Sequence, residues 1–247
     1  MIEPVESIRV LGVRVDVLDM GAAVDRIQAL ARSGGRHLVV TVNPEFIMRA
    51  RRDAGFARLL DSASLALADG VGVTWAARRL GRPLPGRIAG ADLVPELARR
   101  SAEGGLRLFL LGASEGVAAM AAARLLEIAP GAIVTGSHAG LAGPEGDEAA
   151  VALLNAARPD VLLIAYGAPL QEEWYQRNRE RVTVPVAIGV GGTFDYLSGR
   201  VPRAPGWMRG LGLEWLYRLL RQPSRAARMG VLPLFALAVL KARGAPN

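Results

Sequence analysis

A chain of 247 residues, 51% of them hydrophobic, is long enough for one large α/β core and is not a disordered polypeptide. It contains no cysteine, which excludes disulfides and thiolate metal sites and fits a cytoplasmic setting. The net charge is +7, and residues 203–247 carry eight basic side chains against one acid, Glu214, so the excess lies wholly in that segment and residues 1–202 are neutral.

Residues 1–20 hold Glu3, Glu6 and Asp16 and no long apolar run, so no signal peptide is expected. The alternating segment IRVLGVRVDVLD, with Gly12 near its middle, predicts a β-hairpin. Asp19 is the expected N-cap of a helix running to about Ser33. From there, short apolar runs alternate with amphipathic helical stretches. The runs are 37–42, 64–68, 106–111, 132–136, 160–166 and 184–190, and the clearest helical stretches are 114–129 and 169–181. This spacing predicts an α/β fold with a mostly parallel sheet covered by helices on both faces.

From Pro205 the alternation stops. Trp207, Leu211, Trp215, Leu216, Leu219 and Leu220 form an apolar helical stripe. Arg218, Arg221, Arg225 and Arg228 share a face if the helix persists, and Pro223 is expected to divide the region into two helices. The apolar run 229–240 is too short to span a bilayer. The expected organisation is therefore an α/β domain, 1–202, and a basic helical appendage, 203–247. Such an appendage suits an anionic membrane surface. Packing on the domain, or on a second copy of the chain as a homo-oligomer, is the competing reading.

In parallel sheets, ligands sit outside the carboxyl ends of the strands. The segments there are Thr41–Glu45, Asp69-Gly70, Gly112–Gly116, Tyr166–Gln171 and Gly189–Asp195. Glycines let a ligand approach the backbone, and helix starts offer N–H groups to phosphate. Together they predict a nucleotide-sized cleft, with Gly112, Ser114, Gly167 and Gly191 as candidate nucleotide contacts. The segment GASEG does not match the dinucleotide fingerprint, no P-loop is present, and the only lysine is Lys241. There is no Asp-x-Asp clamp for a metal-bound nucleotide, no G-x-S-x-G elbow, and only two histidines, so no histidine metal site. What remains is carboxylate chemistry with cationic help. Asp69 is a candidate general base, but an Asp just before a helix is equally an N-cap, and cap donors would lower its pKa. Asn43, before Pro44, carries the same alternative.

Taken in order, TVNPEF (41–46), ADGVGV (68–73), RIAGADL (87–93), GAPLQEEW (167–174), GVGGTFDYLSG (189–199), VPRAP (201–205) and GLEWLYRLLRQPSR (212–225) resemble the WecG/TagA/CpsF family of bacterial glycosyltransferases, over about residues 9–228. The resemblance implies a Rossmann-like catalytic domain with a membrane-associating appendage. It implies transfer of a hexose from a UDP-sugar to a polyprenyl-diphosphate-linked sugar at the cytoplasmic membrane face, with inversion and with no metal or other cofactor. N-acetylmannosamine, its uronic acid and glucose are the donor sugars it allows. It implies Asp69 as catalytic base, with Thr41 and Asn43 beside the acceptor or transferred sugar. Arg87 and Gln171 would line the same pocket, Arg218, Arg225 and Arg228 would engage the diphosphates, and Asp195 would lie on the nucleotide side. The neutral body shows no second basic patch, which argues against nucleic acid as a partner. Two other classes share parts of this pattern: a nucleotide-cofactor oxidoreductase on the same kind of fold, and a non-enzymatic membrane adaptor using the basic tail.

Overall fold

The computed structural model describes residues 4–221 and 229–242. Strands β1 (Ser7–Val10) and β2 (Val13–Asp16) pair antiparallel, and the turn between them places Leu11 and Gly12 both at positive φ, the geometry of a tight hairpin. Helix α1 (Met20–Arg32) starts where expected, with Asp19 accepting from the Ala22 amide. There follow β3 (His37–Val42), α2 (Pro44–Ala50), α3 (Ala54–Ser62), β4 (Leu65–Ala68), α4 (Val71–Arg79) and α5 (Gly90–Gly104). Next come β5 (Arg107–Gly112), α6 (Val117–Ile128), β6 (Ile133–His138), α7 (Asp147–Ala157), β7 (Val161–Ala165), α8 (Leu170–Asn178), β8 (Val186–Gly189) and α9 (Thr193–Leu197). The region after 203 forms α10 (Gly206–Gly210), α11 (Glu214–Arg221) and a last helix, Val231–Ala242.

Among the described residues, the six strands from β3 onward form one parallel sheet in the order β4-β3-β8-β7-β5-β6. Their runs are continuously apolar because successive side chains enter opposite cores. Val40, Val42, Ala66, Ala68, Leu162 and Ile164 face one layer, built with Phe46 of α2, Val73 of α4 and Trp174 of α8. Val39, Leu65, Leu67, Leu108, Leu163 and Ile188 face the other, built with Ile27 of α1, Leu97 of α5 and Leu125 of α6. The hairpin is tied to the β4 edge by buried Asp16, which accepts from the Ala66 amide at 2.8 Å.

The segment after 203 is of two kinds. Helices α10 and α11 bury no residue, whereas the last helix places Phe235 and Val239 in the same core as α2 and α4. Pro233 falls in the first turn of that helix, where a missing N–H costs no intrahelical bond. Among the described residues no helix is long and apolar enough to cross a membrane.

Candidate active site

A cleft of about 740 Å³ opens at the carboxyl ends of β3, β4, β7 and β8. The chain leaves β3 for β4 on one side, while β8 flanks β3 on the other, so the cleft lies at the topological switch. Its lining includes Thr41, Asn43, Asp69, Arg87, Gly167, Gln171, Gly191, Asp195 and Arg218, so nine of the expected positions converge there. Gly112 and Ser114 are not in the lining. Gly112, at φ +109°, is needed for the close approach of β5 to β7, because a Cβ there would fall 2.8 Å from the Ala165 carbonyl carbon. Ser114 is exposed. Arg225, Arg228 and Pro223 lie outside the described residues.

The local surroundings separate the two candidate caps. Asn43 Oδ1 accepts the Phe46 amide at 3.0 Å with Pro44 opening the helix, so Asn43 is the N-cap of α2. Asp69 is not a cap. Its backbone N–H bonds the Val42 carbonyl at 2.8 Å, and the N-cap position of α4 passes to Gly70, at φ +89°, with no side-chain cap bond. The expected lowering of its pKa is therefore reversed. Burial pushes the Asp69 carboxyl up to about 7; the acids Glu214 and Asp92 add to the rise, and Arg87 and Arg218 oppose it. A carboxyl titrating near neutrality inside a cleft is suited to proton transfer.

The groups around Asp69 are held by a charge network that joins α11 to the body. Arg203 forks between Asp92, at 2.8 Å, and Glu214, at 3.0 Å. Glu214 reaches Arg87 at 3.4 Å. Arg218 lies over the Tyr196 ring at 5.0 Å and against Gly192, where any side chain would collide with its guanidinium. On the floor, the Thr41 hydroxyl donates to the Gly189 carbonyl at 2.9 Å, and Gln171 Oε1 accepts the Gly191 amide at 3.0 Å. Among the described residues no three histidine or acidic side chains gather as a metal cage.

Asp92, Arg203, Tyr196 and Glu214 were not identified by sequence reasoning. Glu214 did leave a signal: it is the single acid in a strongly basic segment. The segment of α10 and α11 carries exposed apolar side chains: Trp207, Leu211 and Leu220 are 65%, 67% and 70% exposed. Trp75 and Trp215 line the cleft itself.

The model of the glycosyl transferase WecG/TagA/CpsF family matches residues 8–247. The chain belongs to that family. It is 36% identical over 203 residues, 82% of this chain and 78% of the relative, to an N-acetylglucosaminyldiphosphoundecaprenol N-acetyl-beta-D-mannosaminyltransferase of Bacillus spizizenii. It is 33% identical over 239 residues, 96% of this chain and 93% of the relative, to a Staphylococcus aureus protein of the same name.

Proposed function

We propose that this glycosyl transferase moves N-acetylmannosamine from a UDP-linked donor to an N-acetylglucosamine carried on a polyprenyl diphosphate, with Asp69 as general base. The observation that carries this reading is the position of Asp69, free of any capping role, titrating near neutrality and flanked by Arg87 and Arg218. In the step, an acceptor hydroxyl gives its proton to Asp69 while its oxygen bonds the anomeric carbon from the side opposite the diphosphate. The bond from that carbon to the diphosphate oxygen breaks, and UDP leaves with the electron pair. The configuration at the carbon inverts.

Guanidinium groups fit the departing diphosphate because their donors match phosphate oxygens in pairs. Arg218 is the described residue best suited, and Arg225 and Arg228 continue the same series. Arg87, paired with Glu214, would orient the sugar or the inner phosphate. Gly167, Gly191 and Asp195 would form the nucleotide side, with Gly112 and Ser114 a more distant part of the same rim.

The exposed Trp207, Leu211 and Leu220, beside basic residues, suit an interface of lipid headgroups and acyl chains, which would bring the cleft to a membrane-bound acceptor. Charge complementarity with anionic lipid supports peripheral association with the cytoplasmic membrane face. A self-association through the same patch is the alternative occupant.

The test is a donor screen. Purified protein, a panel of UDP-sugars and a short-chain polyprenyl-diphosphate acceptor are combined, and UDP release is followed. UDP-N-acetylmannosamine is expected to turn over fastest. Binding of NAD(P) in place of UDP, with no sugar transfer, would overturn the reading in favour of an oxidoreductase.

A further inference from the structure

The cleft floor rests on a second acid that the transfer step does not use. Glu172 is 1% exposed and follows Gln171 on α8. Its Oε1 accepts from Gln171 Nε2 at 2.7 Å, and Gln171 Oε1 accepts the Gly191 amide at 3.0 Å. The pair lies against Gly189, where a Cβ would overlap both the Gln171 amide and the Glu172 carboxyl. The Gly189 carbonyl is the acceptor for Thr41. A connected set thus runs from Glu172 through Gln171 to the β8 turn and across to β3, and Gln171, Gly191 and Thr41 all face the cleft.

Among the described residues, Glu172 Oε2 is buried and has no hydrogen-bond partner. An ionised carboxyl there would be a buried charge with one oxygen unsatisfied, which is costly. Burial accordingly pushes the Glu172 carboxyl up to about 8. The contact from Gln171 opposes this; of the nearby charges, Glu173 on the same helix adds to the rise and Arg49 on α2 opposes it.

We propose that Glu172 is a positioning residue that clamps the Gln171 carboxamide to the β8 turn and so fixes the cleft floor on which the sugar is transferred. Gln171 then has its oxygen on Gly191 and one amide hydrogen on Glu172. When Glu172 ionises, the bond from Gln171 becomes charge-assisted, while Oε2 must draw in water or a new partner, so the geometry of the clamp changes. The kinetic consequence rests on the transferase reading above; the clamp itself does not.

The experiment therefore has two readouts. In the folded full chain, the side-chain amide resonance of Gln171, assigned by its loss in Gln171→Met, is followed by NMR against pH. It is expected to shift with a midpoint near pH 8 in the wild type and to be flat in Glu172→Gln, which is isosteric and neutral. In the transfer assay, Glu172→Gln is expected to hold kcat within about twofold at pH 7 and to lose the wild-type decline above pH 8. Glu172→Ala, checked for folding by its thermal transition, is expected to lose kcat roughly tenfold to a hundredfold, the scale of a misplaced positioning group. A Gln171 resonance that does not titrate, or that titrates equally in Glu172→Gln, overturns the proposal whether or not sugar is transferred. An alkaline decline that persists in Glu172→Gln also overturns it.

Discussion

Two helix starts on the same rim show how similar local sequence can serve opposite ends. At the start of α2, a buried strand ends in Asn43, whose side chain satisfies the Phe46 amide. At the start of α4, the neighbouring strand ends in Asp69, whose side chain satisfies no helix amide and enters the cleft beside charges from α5 and α11. The first arrangement stabilises a helix. The second gives up that stabilisation, hands the cap position to a glycine at positive φ, and keeps a carboxyl poorly solvated. Desolvation gathered at one of two locally similar places fits the proton-transfer role proposed for Asp69.

Substitutions can break or sharpen this contrast. The largest expected effect is on turnover: Asp69→Asn should lower kcat by roughly 10²–10⁴-fold, the usual share of a general base, and should abolish the rise of the wild-type rate through about pH 7. A variant with near-normal kcat would return Asp69 to a structural role. Next, Gly70→Ala should cost about 1–3 kcal/mol in urea unfolding, because φ +89° with ψ 153° is a region only glycine adopts without strain. The space is open there, so an effect of this size would come from the backbone alone.

A third, smaller effect is linked to pH. The folded-state pKa of Asp69, about 7, exceeds its ordinary 3.8, so folding favours the protonated form. That contribution is fully present below about pH 4 and is lost as pH rises through about 7. Asp69→Asn removes the loss, so it should leave stability unchanged at pH 4 and raise it by about 1–2 kcal/mol at pH 8, a value discounted for partial solvent access. Destabilisation at pH 8 would instead mean that Asp69 supports the helix after all. Smallest, Asn43→Ala should cost about 1 kcal/mol in thermal or urea unfolding, and Asn43→Asp close to nothing, since both Asn and Asp cap well.

Much of this protein is legible in its sequence because the decisive signals are local or repetitive. A strand buried on both faces must be apolar at every position, so the runs around Val40, Leu67, Leu110, Leu163 and Ile188 stand out without any fold in hand. The rim residues follow, since each lies just past such a run, and Thr41, Asn43, Asp69, Gly167, Gln171, Gly191 and Asp195 all reach the cleft. The segment around Gly112 obeys the same rule yet stays outside the lining, because β5 is displaced by β7 and β8 from the point where the strand order reverses. The tail was harder to read. Its stripe of Trp207, Leu211, Trp215 and Leu220 is solvent-facing, while Phe235 and Val239, in a run that looks uniformly apolar, are the residues that enter the core.

The amino-acid order alone determined the layered parallel sheet and most of the residues on its rim, but not Asp92, Arg203, Tyr196 or Glu214. From local sequence it left both Asp69 and Asn43 open to a capping role, because a carboxylate or carboxamide just before a helix suits the N-cap wherever it occurs. Only the tertiary structure distinguished them. The state of a carboxyl depends on how much water surrounds it and on every charge within reach, and around Asp69 those charges come from Arg87, Asp92, Glu214 and Arg218, far apart in the chain and brought together only by folding.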